Sequence, residues 1–330
     1  MITATLVLAL PLAVSAAAAP DFEFYKGKTI NYVVATKAGG GYDSYARLIG
    51  KYLPKYIPGA IINIKNTPGA GHILGANETY LAPADGLTIG TFNTGLVYSQ
   101  IVGLSGIKFD LGKYSWVGKA SSEPRVLIVS TKSPYKTFKE FADSKDLIKM
   151  GSGGAGTAAH NETLILAAAT GNNLKITTNL SGREAEMAIM RGDITGQIGS
   201  SSGLSQFIKT KECRVLLQIG GGKKEFGDVP MIADIKLSPQ GQKLLSIVAS
   251  TAGTSRLTAA PPNVPAARLQ ALREAYKKVL TDPEFLKEAA KSDMDIDPGF
   301  GDQVAKEIHE AINQPPENMA LLKKIIKVNE

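Results

Sequence analysis

Three segments of this 330-residue chain share one design: a short apolar run, a Gly/Ser/Thr-rich turn, then a helical pattern. They are Lys37–Asp43 (KAGGGYD), Ser152–Thr157 (SGGAGT) and Ser181–Glu184 (SGRE). A helix start carries unpaired N–H groups and a partial positive charge, and glycines let a ligand approach the backbone closely. Three such loops predict convergence on one small anion in a cleft. Charge-assisted hydrogen bonds contribute about 1.5–3 kcal/mol each, and a helix terminus adds about 0.3–1 kcal/mol. Four or five contacts, less the association cost, reach about −8 kcal/mol, a micromolar affinity for a carboxylate. This chemistry needs no cofactor and no metal.

Within the loops, Lys37 and Arg183 are the only cations, and either could pair with a carboxylate. Asp43 fits an N-terminal brace for its helix and glycine loop better than a ligand contact. His160 follows Thr157 by one turn, with a structural role and ligand contact both open. Other chemistries fit poorly. Gly39 and Gly41 match the first two positions of a dinucleotide loop, but Ser44 stands at the third, and Lys65 stands where an acidic ribose ligand belongs. Gly199–Gly203 (GSSSG) matches a nucleophile elbow around Ser201, which defines the alternative of an exported α/β serine hydrolase. Its only downstream histidine, His309, lies in a polar helix (KEIHEAI). Phosphate-loop matches fail at Phe22 and Lys224, and His72, His160 and His309 lack metal-ligand spacing. Cys213 stands alone, so it forms no internal disulfide and reads as a small buried hydrophobe.

The elements that must position these loops alternate. Strand signals at 30–35, 60–64 and 87–92 bracket helical patterns at 42–53 and 72–82, with Pro54 and Pro58 closing the first helix. A second series follows Pro124, with strands at 126–130, up to 150, 176–180, 195–198 and 214–219 and helices at 158–169 and 184–191. The βαβ alternation predicts two α/β lobes, each a mostly parallel sheet flanked by helices, with a crossing near 118–125. A helical tail begins near Pro265 and restarts at Asp282-Pro283.

Composition sets the class: 44% hydrophobic, 20% charged and net charge +7, with scattered Lys and Arg. Scattered charge without a basic tract or zinc spacing excludes a nucleic-acid partner, while a mildly basic surface suits small anions. Residues 1–20 are uncharged, carry Pro11 and end in Ala17-Ala18-Ala19, which predicts a signal peptide and a periplasmic protein. The basic n-region usual in such signals is absent, which places the expected start a few codons upstream. No cysteine stands near the cleavage region, so a lipid anchor is not expected. No later stretch is long and apolar enough to span a membrane.

The order of blocks resembles the extracytoplasmic solute receptors of tripartite tricarboxylate transporters, the TctC/Bug family. The blocks are INYVVATKAGGGYDSYARLIGKYL (30–53), NTPGAGHILGANETYLAPADGLTI (66–89), GSGGAGTAAH (151–160), SGREAEMAIMRGDITG (181–196) and APPNVPAARLQAL (260–272). The resemblance implies a two-lobed, type II-like periplasmic-binding fold. Its expected domains are a signal peptide (1–20), one lobe of 21–122 plus 250–330, and a second of 123–249. It also implies a monomeric, non-catalytic receptor that hands a small carboxylate to large and small permease subunits in the membrane. The ligand-binding set it implies is Thr36, Lys37, Gly39, Gly40, Tyr42, Asp43, Thr94, Ser152, Gly153, Gly156, Thr157, His160, Ser181, Gly182 and Ser200. Three departures stand out. Ala35-Thr36-Lys37 replaces the family's Val-Pro-Phe, Ser200–Ser202 replaces an often acidic position, and Thr254-Ser255-Arg256-Leu257 replaces an aromatic-Gly pair.

Overall fold

The β-branched run at the start of the chain forms β1 (Thr29–Val34), whose last three residues are fully covered. The structure is a computed structural model describing residues 18–180, 182–221 and 223–327. Most of the expected signal peptide and Ser181 lie outside the described residues. After β1 come α1 (Gly41–Tyr56), β2 (Ile61–Asn66), α2 (Ile73–Leu81), β3 (Thr88–Phe92), α3 (Gly95–Val102) and β4 (Ser115–Ser121). The chain then enters a second sheet through β5 (Arg125–Ser130), α4 (Phe138–Asp143), β6 (Ile148–Gly151), α5 (Ala158–Thr170) and β7 (Leu174–Thr177). That sheet is completed by α6 (Arg183–Arg191), β8 (Gly196–Ser200), α7 (Ser201–Lys209), β9 (Cys213–Ile219) and α8 (Pro239–Ala252). The return strand β10 (Ser255–Ala260) rejoins the first sheet. The tail is α9 (Ala266–Leu280), α10 (Pro283–Lys291), β11 (Gly299–Phe300), α11 (Gly301–Ile312) and α12 (Pro316–Lys327).

The two sheets repeat one plan. Sheet order is β2-β1-β3-β10-β4-β11 in the first and β7-β6-β8-β5-β9 in the second. In each, three strands run parallel and the strand that has just crossed from the other lobe is inserted antiparallel beside the third. The mostly parallel, helix-flanked α/β lobes are therefore present, with β5 and β10 as the opposing strands, joined in the first sheet by the two-residue edge strand β11. Such strand arrangements place ligands outside the carboxyl ends of the parallel strands. Those ends lead into the Gly-rich loops.

Packing ties the lobes together on one side. One core cluster joins Leu96 and Ile101 of α3 to Ile165 of α5, Leu244 and Val248 of α8, and Leu322 and Ile326 of α12. Burying side chains of this size stabilises by about 1.5–3 kcal/mol each. The tail thus returns to the first sheet through α9 and α11, then spans to the second through α12. Several expected boundaries shift: the strand expected at 176–180 lies at Leu174–Thr177, that at 60–64 lies at Ile61–Asn66, and α1 continues through Pro54 to Tyr56. Proline removes only its own N–H and restricts the residue before it, so a last turn can form beyond it. Helix α3, helix α8 and strand β10 carry no strong periodic or turn signal and went unassigned in the sequence.

Candidate functional site

The first glycine loop is braced from within. Gly39 takes the left-handed conformation (φ 80°) and donates its N–H to Asp43 Oδ2 at 2.8 Å. Arg47 Nε donates to the same carboxylate at 2.9 Å, and Asn66 Nδ2 donates to its other oxygen at 2.9 Å. Burial opposes ionisation of Asp43, but these bonds win and hold its carboxyl below the usual range. Asp43 is therefore the brace that its position in the first turn suggested, with both oxygens engaged by the protein. Gly40 caps α1 with its carbonyl, which accepts from the Ser44 N–H at 3.0 Å. Lys37 is exposed at the loop's rim.

Tyr42 points the other way, into the region between the lobes. Its ring lies edge-on to His72 at 6.2 Å and under the Arg256 guanidinium at 4.2 Å. Burial raises its phenol pKa, with Arg256 opposing. Thr36 precedes the loop, and its Oγ1 is buried with no partner in the protein.

On the facing lobe, Thr157 caps α5. Its Oγ1 accepts from the His160 N–H at 3.3 Å and donates to the Gly154 carbonyl at 2.7 Å. Ser152 Oγ lies 3.3 Å from His160 Nδ1 and accepts from the Gly154 N–H at 3.3 Å. Burial lowers the His160 pKa, which favours the neutral imidazole. Ser152, Gly154, Thr157 and His160 thus form one connected turn, with Gly153 exposed on its outside. Ser200 caps α7, accepting from the Gly203 N–H at 3.3 Å. Gly182 caps α6 at φ 54°, with open space around its Cα.

The loops of the two lobes touch. A Cβ added at Gly71 would lie 2.7 Å from the Ala155 carbonyl oxygen, and one at Gly95, next to Thr94, would lie 2.7 Å from the Ala158 nitrogen. Gly156 is buried against Gly71 and Leu104. The starts of α1, α3, α5 and α7 accordingly meet around one cleft, joined by His72 and Arg256. Lys37 and Gly182 stay at its periphery.

Sequence reasoning missed the charged floor of this cleft. Glu123 and Arg125 lie at the crossing into the second sheet, and Arg256 lies on the return strand. Arg256 Nε stands 2.9 Å from Glu123 Oε1, and Arg256 Nη2 donates to Ser202 Oγ at 3.1 Å. Arg125 donates from Nε at 2.8 Å and sits 2.7 Å away through Nη2 from the same Glu162 oxygen. All four residues are less than 8% exposed. The available signal was charge inside apolar runs, EPRVLIVS and SRLTAA, since buried charges must be paired. His72 Nδ1 and both side-chain polar atoms of Asn161 were missed too, and they are buried without protein partners. Ser201, the candidate nucleophile, is 7% exposed and its N–H donates to the Pro124 carbonyl. His309 is exposed, with its ring 3.2 Å from Asn313 Nδ2 in α11. No group of three His, Cys, Asp or Glu among the described residues could hold a metal ion.

Two α/β lobes built on the same strand plan, joined by crossing strands and turning their helix starts toward each other, form the two-lobed fold of the periplasmic binding proteins. The profile of the tripartite tricarboxylate transporter family receptor, TctC, matches residues 46–325, and the chain belongs to that family. It is 26% identical over 214 residues to a UPF0065 protein from the tcbD-tcbE intergenic region of Pseudomonas sp. strain P51, a match spanning 63% of each chain and so less than two thirds of that relative. Among solved structures it is similar to a TctC solute-binding protein from Polaromonas, at TM-score 0.66 and 20% identity over 92% of this chain and 99% of that one. It is also similar to an R. palustris protein solved with adipate, at TM-score 0.72 and 17% identity over 91% and 98%. At these identities the structural likeness establishes the fold alone. No helix among the described residues is long and apolar enough to cross a membrane.

Proposed function

We propose that this chain is a periplasmic, monomeric receptor that captures a small organic carboxylate between its lobes, without turnover, and delivers it to large and small permease subunits in the membrane. The lobes are assigned as 21–122 with 250–330, and 123–249, the division that keeps each sheet's strands in one lobe. The observation that carries the reading is the meeting of the α1, α3, α5 and α7 starts at one cleft, beside buried polar atoms that have no protein partner. Unpaired N–H groups at helix starts suit a carboxylate. Ligand contact is assigned to Thr36, Tyr42, Thr94, Ser152, Gly156, Thr157 and Ser200. Gly39, Gly40 and Asp43 hold the first loop in shape, His160 supports Ser152 from within its turn, and Lys37, Gly153 and Gly182 form the rim. The adipate-bound relative supports a carboxylate as the class.

A thermal-shift panel of mono-, di-, tri- and aromatic carboxylates tests this. A specific ligand at 100 times its Kd stabilises by about 2.7 kcal/mol, a shift of a few degrees for a protein of this size. The expected outcome is a response confined to one acid class with the compound recovered unchanged. Consumption of the compound, or no response from protein first stripped of copurified ligand, would overturn the reading.

A further inference from the structure

The charge balance of the cleft narrows the ligand. Every buried Lys or Arg among the described residues already has a carboxylate within 2.9 Å: Lys119 with Glu307, Arg125 with Glu162, and Arg256 with Glu123. His72 is kept neutral by burial, with its pKa near 4. Apart from Glu123 Oε1 and Arg256 Nε, which face each other at 2.9 Å as an ion pair, the buried side-chain atoms without a hydrogen-bond partner among the described residues belong to uncharged groups, among them Thr36 Oγ1, His72 Nδ1, and Oδ1 and Nδ2 of Asn161.

Asn161 is the most telling of these, being 1% exposed with both polar atoms unpaired. It lies in the first turn of α5, between His160, which meets Ser152, and Glu162, which receives Arg125. One turn later Ile165 packs into the core against the sheet. Residues four apart share a helix face, so Asn161 projects over the strand ends that border the cleft. An amide there offers one donor group and one acceptor. A carboxylate could use only Nδ2 and would be repelled by Oδ1, with no uncompensated cation nearby to offset its desolvation.

We propose that the ligand is a monocarboxylate whose far end is an uncharged group able both to donate and to accept hydrogen bonds, such as a carboxamide or hydroxyl, and that Asn161 recognises that end. The inference rests on the carboxylate-receptor reading and adds to it the preference against a second charge. A site that leaves a buried donor and acceptor unmatched discriminates strongly against the wrong ligand.

The test is calorimetric titration of the purified, ligand-stripped protein with succinate, glutarate and adipate and with the half-amide of each. The expected result is a half-amide binding at least tenfold tighter than the diacid of equal length. In Asn161→Leu that ratio should fall below about threefold, and Asn161→Ser serves if the leucine variant does not fold. A diacid that binds as tightly as its half-amide at every length overturns the monocarboxylate proposal while leaving the receptor reading intact. A retained tenfold ratio in both Asn161 variants overturns the role of Asn161. Absence of binding by these acids and by the wider carboxylate panel removes the receptor reading, and this inference with it.

Discussion

His72 stands in the left-handed backbone region at φ 81°, which non-glycine residues adopt sparingly, and joins the turn Gly69–Gly71 to α2. That placement turns its ring toward Tyr42 and buries Nδ1 without a partner. Burial pushes its pKa from 6.5 down to about 4, so the folded protein holds a neutral imidazole where the unfolded chain takes up a proton. Between those values the unfolded state binds more protons, and stability therefore rises with pH. His72 should remove about 2–3 kcal/mol of stability as pH falls from 6.5 to 4. Urea denaturation at several pH values measures this, and His72→Gln should flatten that part of the curve; a parallel curve would assign the loss to other groups. Arg256 makes the complementary case. At φ 53° it occupies a conformation that favours glycine, within the segment where the family's aromatic-Gly pair is missing, and its side chain fills the space over Tyr42 and Tyr45. Strain of about 1–3 kcal/mol is held there by its ion pair with Glu123 and its contact with Ser202.

At the scale of elements, the first turn of α5 combines the most functions. Thr157 closes the turn on Gly154, caps the helix through His160, and stands next to Gly156 at the lobe contact. Thr157→Ala should cost about 1 kcal/mol of stability, the usual loss for a Thr cap. It should also weaken carboxylate binding, because the α5 start loses the hydroxyl that fixes its N–H groups. A denaturant midpoint lowered at constant slope, together with a weaker Kd, is the expected pair of results; unchanged affinity would place the ligand away from α5. This turn was legible in the sequence because Gly, Ser and Thr mark loops locally. So were β1, α1, β6, α5 and the repeating strand–loop–helix order, each written in short-range pattern. The floor of the cleft was not. Glu123, Arg125, Glu162 and Arg256 acquire their meaning from partners 37 to 133 residues away, and pairing at that distance leaves no periodic trace. The antiparallel insertion of β5 and β10 is equally non-local, since a strand's direction in a sheet depends on where the chain crosses.

For the whole molecule, the feature that matters is how little separates the lobes where they meet. Gly95 opens α3 in the first lobe, and a methyl group on it would stand 2.7 Å from the Ala158 nitrogen and 2.8 Å from the Gly156 carbonyl oxygen of the second. Its φ is not in the left-handed region, so alanine there brings no backbone strain and is a better helix former by about 1 kcal/mol. Two of the three nearest atoms to that methyl belong to the other lobe, and the third is Asn93 Oδ1 at 2.8 Å, a side-chain atom that accepts the Gly95 N–H. Gly95→Ala therefore acts chiefly as a wedge between lobes. Its effect should be seen in closure, since two-lobed receptors hold ligand by hinge motion about their crossing strands. The variant should remain folded, with a melting temperature within a few degrees of the parent, and should bind its carboxylate at least about tenfold more weakly, equivalent to about 1.4 kcal/mol. X-ray scattering with ligand present should give a larger radius of gyration than the parent under the same conditions. Unchanged affinity and scattering would mean that the bound state does not bring α3 against the α5 turn. In that case the ligand would be held in a cleft more open than the contact of Gly95 with Gly156 and Ala158 allows.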